Sequence, residues 1–260
     1  MNICLFSKEE AGCGFKLNIK DDRANHLVKI LHKEIGDSFI AGIIDGNSGV
    51  ATIKSIDDEF ICCDFAENED KDSCKPLNPI KMIIGFPRPI QLKRLLRDVA
   101  ALGVCEVHLT GTELGEKSYM QSTLVEKGNA YKMLLDGTVQ AGSTNVPKLF
   151  LHKTLKDCIA EIKSENAENV LLALDNVNPK ISLKKSLGEA GLNFEYGSQD
   201  SNCAKTVVAA IGSERGWTDK ERTLLEENGF IRCGMGERIM RTETAATVSA
   251  SIILAQLGKI

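Results

Sequence analysis

The stretch that most constrains this chain is residues 207–257, where two glycine loops, each at the end of an apolar run, flank a single helix. The run VVAAI at 207–211 holds no polar residue, as a strand buried on both faces requires. Gly212 ends it, and the tight segment Ser213-Glu214-Arg215-Gly216 follows. Thr218 with Glu221 three residues on reads as a capping box, which opens a helix running to Glu227 or Asn228, and Gly229 supplies the stop. A short strand at 230–233 leads into the second loop, Gly234-Met235-Gly236. The segment Arg238-Ile239-Met240-Arg241-Thr242-Glu243-Thr244-Ala245 then enters a final helix. Strand–helix alternation specifies a mostly parallel α/β sheet, and open sheets of this kind bind ligands beyond the carboxyl ends of their strands. Glycines there admit close backbone approach. The stretch is neither a dinucleotide fingerprint nor a Walker A loop, because no G-x-G-x-x-G opens a helix directly after a strand and no Gly-Lys-Ser/Thr occurs. On spacing alone it reads first as an ordinary βαβ unit with glycine turns.

The alternation begins well upstream. An apolar strand at 81–86 is broken by Pro87 and Pro89, and a helix at 91–102 sets Leu92, Leu95, Leu96, Val99 and Leu102 on one stripe before Gly103. Further strands are expected at 104–109, 148–151 and 170–174, helices at 122–138 and 155–163, and loops at 111–115 and 140–147. Residues 1–70 read differently. Short β-like runs at 16–19, 38–41, 48–55 and 60–65 are punctuated by turns, with Asp45-Gly46 a hairpin signal and Asp21-Asp22 able to cap a short helix through His26, Ile30 and Leu31. Strands this short suggest a small barrel. The polar stretch 66–79, with two prolines, reads as an interdomain linker, giving domains at 1–70 and 76–260.

Composition narrows the function classes. No run approaches the roughly 18 apolar residues of a membrane span, and the N-terminus lacks the basic and apolar regions of a signal peptide. The nine cysteines are scattered with no Cys-x-x-Cys, which argues for reduced thiols in a cytoplasm. His26, His32, His108 and His152 show no metal-ligand spacing, so no metal is expected. The net charge of −4 counts against a nucleic-acid partner. Yet Lys81, Arg88, Lys93, Arg94 and Arg97 lie together with no acid among them, while acids gather at 67–72 and 161–168. A local basic face binds phosphates even on an acidic chain.

The two loops together carry a resemblance. Gly212-x-Glu214-x-Gly216, followed by Gly236-x-Arg238-Ile239-Met240-Arg241-Thr242-Glu243-Thr244-Ala245, resembles the RsmE family, the 16S ribosomal RNA uracil-N3 methyltransferases of the knotted SPOUT superfamily. The first loop departs from the family's Gly-Pro-Glu-Gly-Gly at Ser213 and Arg215; the second match is long and specific. Arg23-x-x-His26-Leu27-x-x-Ile30-Leu31 before Gly36-Asp37 is similar to the family's entry segment. The resemblance implies a SPOUT-type knotted, mostly parallel sheet flanked by helices, an N-terminal PUA-like β-barrel that binds RNA, S-adenosylmethionine as methyl donor, and a homodimer acting on ribosomal RNA or the small ribosomal subunit.

It also implies a cofactor site between the loops that follow Leu174, Ile211 and Cys233. Leu174, Asp175, Ile211, Gly212, Glu214, Gly216, Met235, Gly236, Ile239, Met240, Thr244 and Ala245 are the expected cofactor-binding residues, with Met235 and Met240 equally readable as core plugs. Methylating N3 of a uracil requires loss of the imide proton, and a cation beside O2 or O4 stabilises the anion left behind. Arg241 and Glu243 are the expected catalytic pair; the alternatives are an Arg241 salt bridge to Glu243 or Glu214, and a helix N-terminal role for Glu243. Arg23, His26, Arg88, Arg94 and Arg238 are the expected RNA contacts, against a solvated-face reading of Arg23 and His26. Trp217 reads as packing or as a base-stacking platform. On the substrate side Asp98 and Ala101 precede Leu102-Gly103, and Val139 and Ser143 stand where the family has Glu and Arg. Two functions fit those departures: methylation at this or another RNA site, or RNA binding by a paralogue without transfer activity.

Overall fold

The computed structural model describes residues 2–68, 75–126, 128–164, 168–197 and 205–260. Residues 69–74 of the expected linker and 165–167 of the second acidic run lie outside them, as do Cys74 and Cys203. Five strands come first: β1 (Cys4–Phe6), β2 (Lys16–Asn18), β3 (Ser38–Ile43), β4 (Ser48–Ile56) and β5 (Phe60–Glu67), with α1 (Lys8–Gly12) and α2 (Asp22–Asn25) among them. Next come β6 (Asn78–Gly85), α3 (Pro89–Ala101), β7 (Val104–Thr110), α4 (Lys117–Met120), α5 (Thr123–Glu126), α6 (Asn129–Ala141), β8 (Lys148–His152), α7 (Leu155–Ser164) and β9 (Asn169–Leu174). The chain ends with β10 (Ile181–Ser182), α8 (Leu183–Glu189), β11 (Thr206–Ile211), α9 (Asp219–Glu227), β12 (Ile231–Gly234) and α10 (Thr242–Gln256). They form two compact units, Met1–Leu77 with Leu135–Val146, and Asn78–Leu134 with Pro147–Ile260.

The first unit is a five-stranded sheet in the order β1-β3-β4-β5-β2, antiparallel except where β1 joins β3. Phe6, Leu17, Leu27, Ile53 and Ile61 fill its core, and the Phe15 ring stacks on Phe65 at 4.6 Å. Asp21 caps α2 as its sequence position suggests, but the helix passes at once into a π-helical turn, His26–Ile30. The elements β1 and α1 escaped sequence reading because three strand residues and five helical ones leave almost no periodicity; the Ser7/Glu10 capping box was their one local signal. The segment Leu135–Val146 is tied into this unit: the Val146 N–H donates to Asp45 Oδ1 at 3.0 Å and Asn2 Nδ2 donates to the Gln140 carbonyl at 2.6 Å.

The second unit is a seven-stranded sheet in the order β10-β12-β9-β11-β6-β7-β8, parallel at every described pairing. Ile83, Ala173, Val208 and Ala210 share a core with Leu155, Ile159 and Ile162 of α7 and Leu225 of α9. The helix α10 packs on β6 and β11, beside α3 and α8, and its buried Ala245, Ala246, Ser249 and Ala250 let the backbones come close. Pro89 does not precede α3 but sits in its first turn, where its missing N–H goes unused in any helix. The single helix expected at 122–138 is instead α5 and α6; Gly128, at φ 68°, has left the helical region ahead of α6. Because β9 lies between β12 and β11, all parallel, the carboxyl ends of β9, β11 and β12 fall side by side.

Candidate functional site

Those three strand ends open into a cleft of about 340 Å³. Leu174, Ile211, Met235, Ile239, Met240 and Ala245 give it apolar walls, and Gly212, Gly216 and Gly236 bring backbone to its edge. The first loop is tight: a Cβ at Gly212 would meet the Gly216 carbonyl carbon at 2.8 Å, and Gly216 itself has φ +73°. Gly236 has φ +115° with open space where a side chain would start. Three conformational demands thus fall on residues that lack a Cβ. The cleft also holds the Ser213 hydroxyl, buried and without a hydrogen-bond partner among the described residues.

The charged residues of the cleft are held in place. Asp175 is buried, and Arg222 Nε donates to its Oδ2 at 2.6 Å while the Val177 N–H donates to Oδ1 at 3.1 Å. That pairing drives the Arg222 guanidinium further toward its charged form. Arg222 lines the cleft from α9 and was not among the residues expected from sequence; nothing local marks it, since its partner lies 47 positions away. Glu214 accepts from Arg88 Nε at 3.2 Å, so one expected cofactor contact and one expected RNA contact are paired with each other. Trp217 Nε1 donates to the Leu174 carbonyl at 3.2 Å from a buried position, the packing role of its two readings.

The remaining expected residues are dispersed. Arg241 is the exposed N-cap residue of α10 and forms no ion pair among the described residues. Glu243 lies in the first turn of α10 and Thr244 is exposed beside it; neither they nor Arg241 line the cleft. Arg238 is exposed on the cleft rim, and Arg94 is exposed on α3. In the first unit Arg23 is engaged internally: Nη2 contacts Glu10 Oε1 at 2.5 Å and Asp21 Oδ2 at 2.7 Å, and Nη1 donates to the Leu5 carbonyl at 2.6 Å. Burial opposes the Arg23 charge, but the bonds to Glu10 and Asp21 outweigh it and raise its pKa. His26 is half-buried at the start of the π turn.

Two further features of the second unit were not foreseen. A cavity of about 640 Å³ opens beyond β7 and β8, walled by Phe86, Met120, Leu155 and Leu224 and rimmed by the exposed Lys117, Lys153, Lys156 and Lys220. Those lysines come from three separate segments, which hides the patch in sequence. Behind the same strands, His108, His152 and Cys158 are buried with their ligand atoms within 4.8 Å of one another. The seven described cysteines are all free.

Comparison with known proteins gives this geometry a family. Residues 73–254 match the RNA methyltransferase domain, and residues 19–65 match the RNA methyltransferase PUA domain. The chain is 38% identical over 260 residues to ribosomal RNA small subunit methyltransferase E of Treponema pallidum, covering 98% of this chain and 91% of that protein. It is 32% identical over 255 residues to ribosomal RNA small subunit methyltransferase E 1 of Borreliella burgdorferi, covering 98% of each. The crystal structure of ribosomal RNA small subunit methyltransferase E from Neisseria gonorrhoeae bound to S-adenosyl methionine superimposes with a TM-score of 0.73, at 18% identity over 98% of this chain and 97% of that one, which is a likeness of fold. A domain match over most of the chain and a relative at 38% identity along nearly all of it establish that this chain belongs to the ribosomal RNA small subunit methyltransferase E family.

Proposed function

We propose that this chain methylates N3 of a uridine in 16S ribosomal RNA with S-adenosylmethionine as donor. The observation that carries the reading is the cleft at the ends of β9, β11 and β12, where apolar walls, glycine backbone and one unsatisfied buried hydroxyl occur together. That set fits a cofactor with an adenine to sandwich and polar groups to satisfy. Leu174, Ile211, Met235, Ile239 and Met240 would flank the adenine, and the Gly212–Gly216 loop and Gly236 would offer backbone groups. Bound there, the cofactor supplies an electrophilic methyl group.

The chain's own chemistry is to make N3 nucleophilic. Its proton must leave, and Arg241 is the cation assigned to the resulting anion. Arg241 makes no ion pair among the described residues, and Glu214, one of its candidate partners, is occupied by Arg88. Glu243, in the first turn of α10, favours that helix N-terminus by its charge. The rim lysines of the larger cavity and the exposed Arg94 and Arg238 would steer RNA phosphates. The working form in this reading is a cytoplasmic homodimer with a SPOUT knot, and Ile239, 82% exposed beside the cleft, is the apolar surface a second copy would cover. A strictly monomeric mass by light scattering with S-adenosylmethionine present would count against the dimer.

The test is transfer of labelled methyl from S-adenosylmethionine to small ribosomal subunits lacking the modification, with the product nucleoside identified by mass spectrometry. Wild type yields 3-methyluridine and Arg241→Ala loses at least about 100-fold in rate, the scale of removing one charge-stabilising donor. Absence of label with wild type would favour another RNA site or a binding-only role.

A further inference from the structure

We propose that His108 Nδ1, His152 Nε2 and Cys158 Sγ form a binding site for one Zn2+ ion, on the opposite half of the parallel sheet from the glycine cleft. The three residues come from β7, β8 and α7, and each offers a ligand atom within 4.8 Å of those of the other two. Ligand atoms around a tetrahedral zinc stand about 3.5 Å apart, so shifts of roughly 1 Å complete the set. The two imidazole nitrogens are already 3.0 Å apart.

What surrounds the cluster is as specific as the ligands. A metal-bound imidazole characteristically directs its far nitrogen to a carboxylate, which fixes the ring and its tautomer. His108 Nε2 faces Glu106 Oε2 at 3.2 Å, and His152 Nδ1 faces Glu161 Oε2 at 3.6 Å. Glu106 is itself anchored, because Lys81 Nζ contacts the same oxygen at 2.8 Å. If both outer nitrogens donate to these carboxylates, the two inner nitrogens present lone pairs to each other at 3.0 Å. A cation held by both nitrogens, once the rings part and turn to give Zn–N bonds of about 2.0–2.1 Å, removes that conflict. Without one, one ring donates to the other, and where His152 Nε2–H donates to His108 Nδ1 the His152 nitrogen nearest Glu161 has no proton to offer it. Two imidazoles and a thiol select a borderline ion such as zinc over calcium or magnesium, which require oxygen ligands.

Binding is balanced by one proton. The Cys158 thiol, which burial pushes up to about 12, loses its proton to solvent as the zinc–sulfur bond forms, while the His152 proton moves from Nε2 to Nδ1 and meets Glu161. Glu161 is half-exposed, so the outer carboxylate of the cluster reaches the surface on that side. The fourth position stays with a small ligand such as water. The bound ion would pin α7 to β7 and β8, directly behind the lysine-rimmed cavity.

The experiment titrates the reduced full chain with Co2+ as a spectroscopic stand-in, then displaces it with Zn2+. One equivalent produces a thiolate-to-cobalt charge-transfer band and the visible bands of tetrahedral cobalt, both removed by zinc, and Zn2+ raises the thermal midpoint. Cys158→Ser abolishes the charge-transfer band. Glu161→Gln, a change at a half-exposed side chain that the fold tolerates, keeps the band but weakens affinity by about 10- to 100-fold. A wild-type chain without the band, the same band in Cys158→Ser, or an unchanged affinity in Glu161→Gln would each overturn the assignment.

Discussion

Arg23 in the five-stranded unit and Arg241 at the head of α10 are both arginines that sequence reading selects for function, the first for contact with RNA and the second for catalysis, and the structure treats them oppositely. Arg23 is enclosed by Glu10, Asp21 and the Leu5 carbonyl, with its guanidinium 5.7 Å above the Phe6 ring. Arg241 is exposed and free of ion pairs among the described residues. One guanidinium holds a strand, a helix and a cap together; the other is left available. A charged residue in a family-like segment therefore says little about its task until its neighbours are known, and the deciding neighbours of Arg23 lie 13 and 18 residues away.

Four measurements sharpen or break that contrast. Arg222→Ala should have the largest effect. It leaves the Asp175 carboxylate, 1% exposed, without its main partner, and removing one side of a buried pair costs about 3–5 kcal/mol. Arg232 Nη1, 3.6 Å from the same carboxylate, keeps the loss near the lower end, and urea denaturation reads it. Gly212→Val comes next, because its side chain would strike the Gly216 backbone and force the loop open. Overpacking of that kind costs about 1–3 kcal/mol, read by calorimetry as a roughly 5- to 150-fold weaker affinity for S-adenosylmethionine.

Arg23→Ala should cost about 2 kcal/mol in stability, less than a fully buried pair because its side chain is 24% exposed. It should leave cofactor affinity unchanged; a fall in RNA affinity with unaltered stability would reverse the reading of Arg23 as structural. The smallest effect is one of pH. The hydrogen bond from Arg23, followed by burial working against it, sets Glu10 below its usual carboxylate value. A depressed folded-state pKa means stability that is present above the ordinary carboxylate value and is lost as pH falls through the lower one. Glu10→Gln should flatten that acid limb by under about 1 kcal/mol, and a limb of unchanged slope would remove Glu10 from its cause.

The cleft was legible in the sequence to an unusual degree, and the reason is locality. Glycines, a capping box and a long motif all lie between residues 207 and 245, so their spacing reports one contiguous piece of backbone. Thr218 and Glu221 form the expected box, and Gly229 ends α9 at φ +90°. Elements of only a few residues left no such trace, which is why β1, α1 and β10 were missed, while the helix expected through His26 and Ile30 formed with a π turn in place of its α geometry. The helix expected at 122–138 failed for a different reason: apolar periodicity ran on through Gly128, whose positive φ the composition alone does not announce.

The sequence by itself determined the alternation that demands a parallel sheet, the glycines that shape its carboxyl edge, and the motif that links the chain to its family. Only the tertiary structure decided which charges meet. Arg222 reaches Asp175, Arg88 takes Glu214, and two histidines without ligand spacing face each other at 3.0 Å beside Cys158. Hydrogen bonds along a helix or cap are fixed by sequence offset. Contacts between neighbouring strands and the helices above them are fixed by strand order and register, and those emerge only once the whole sheet is assembled.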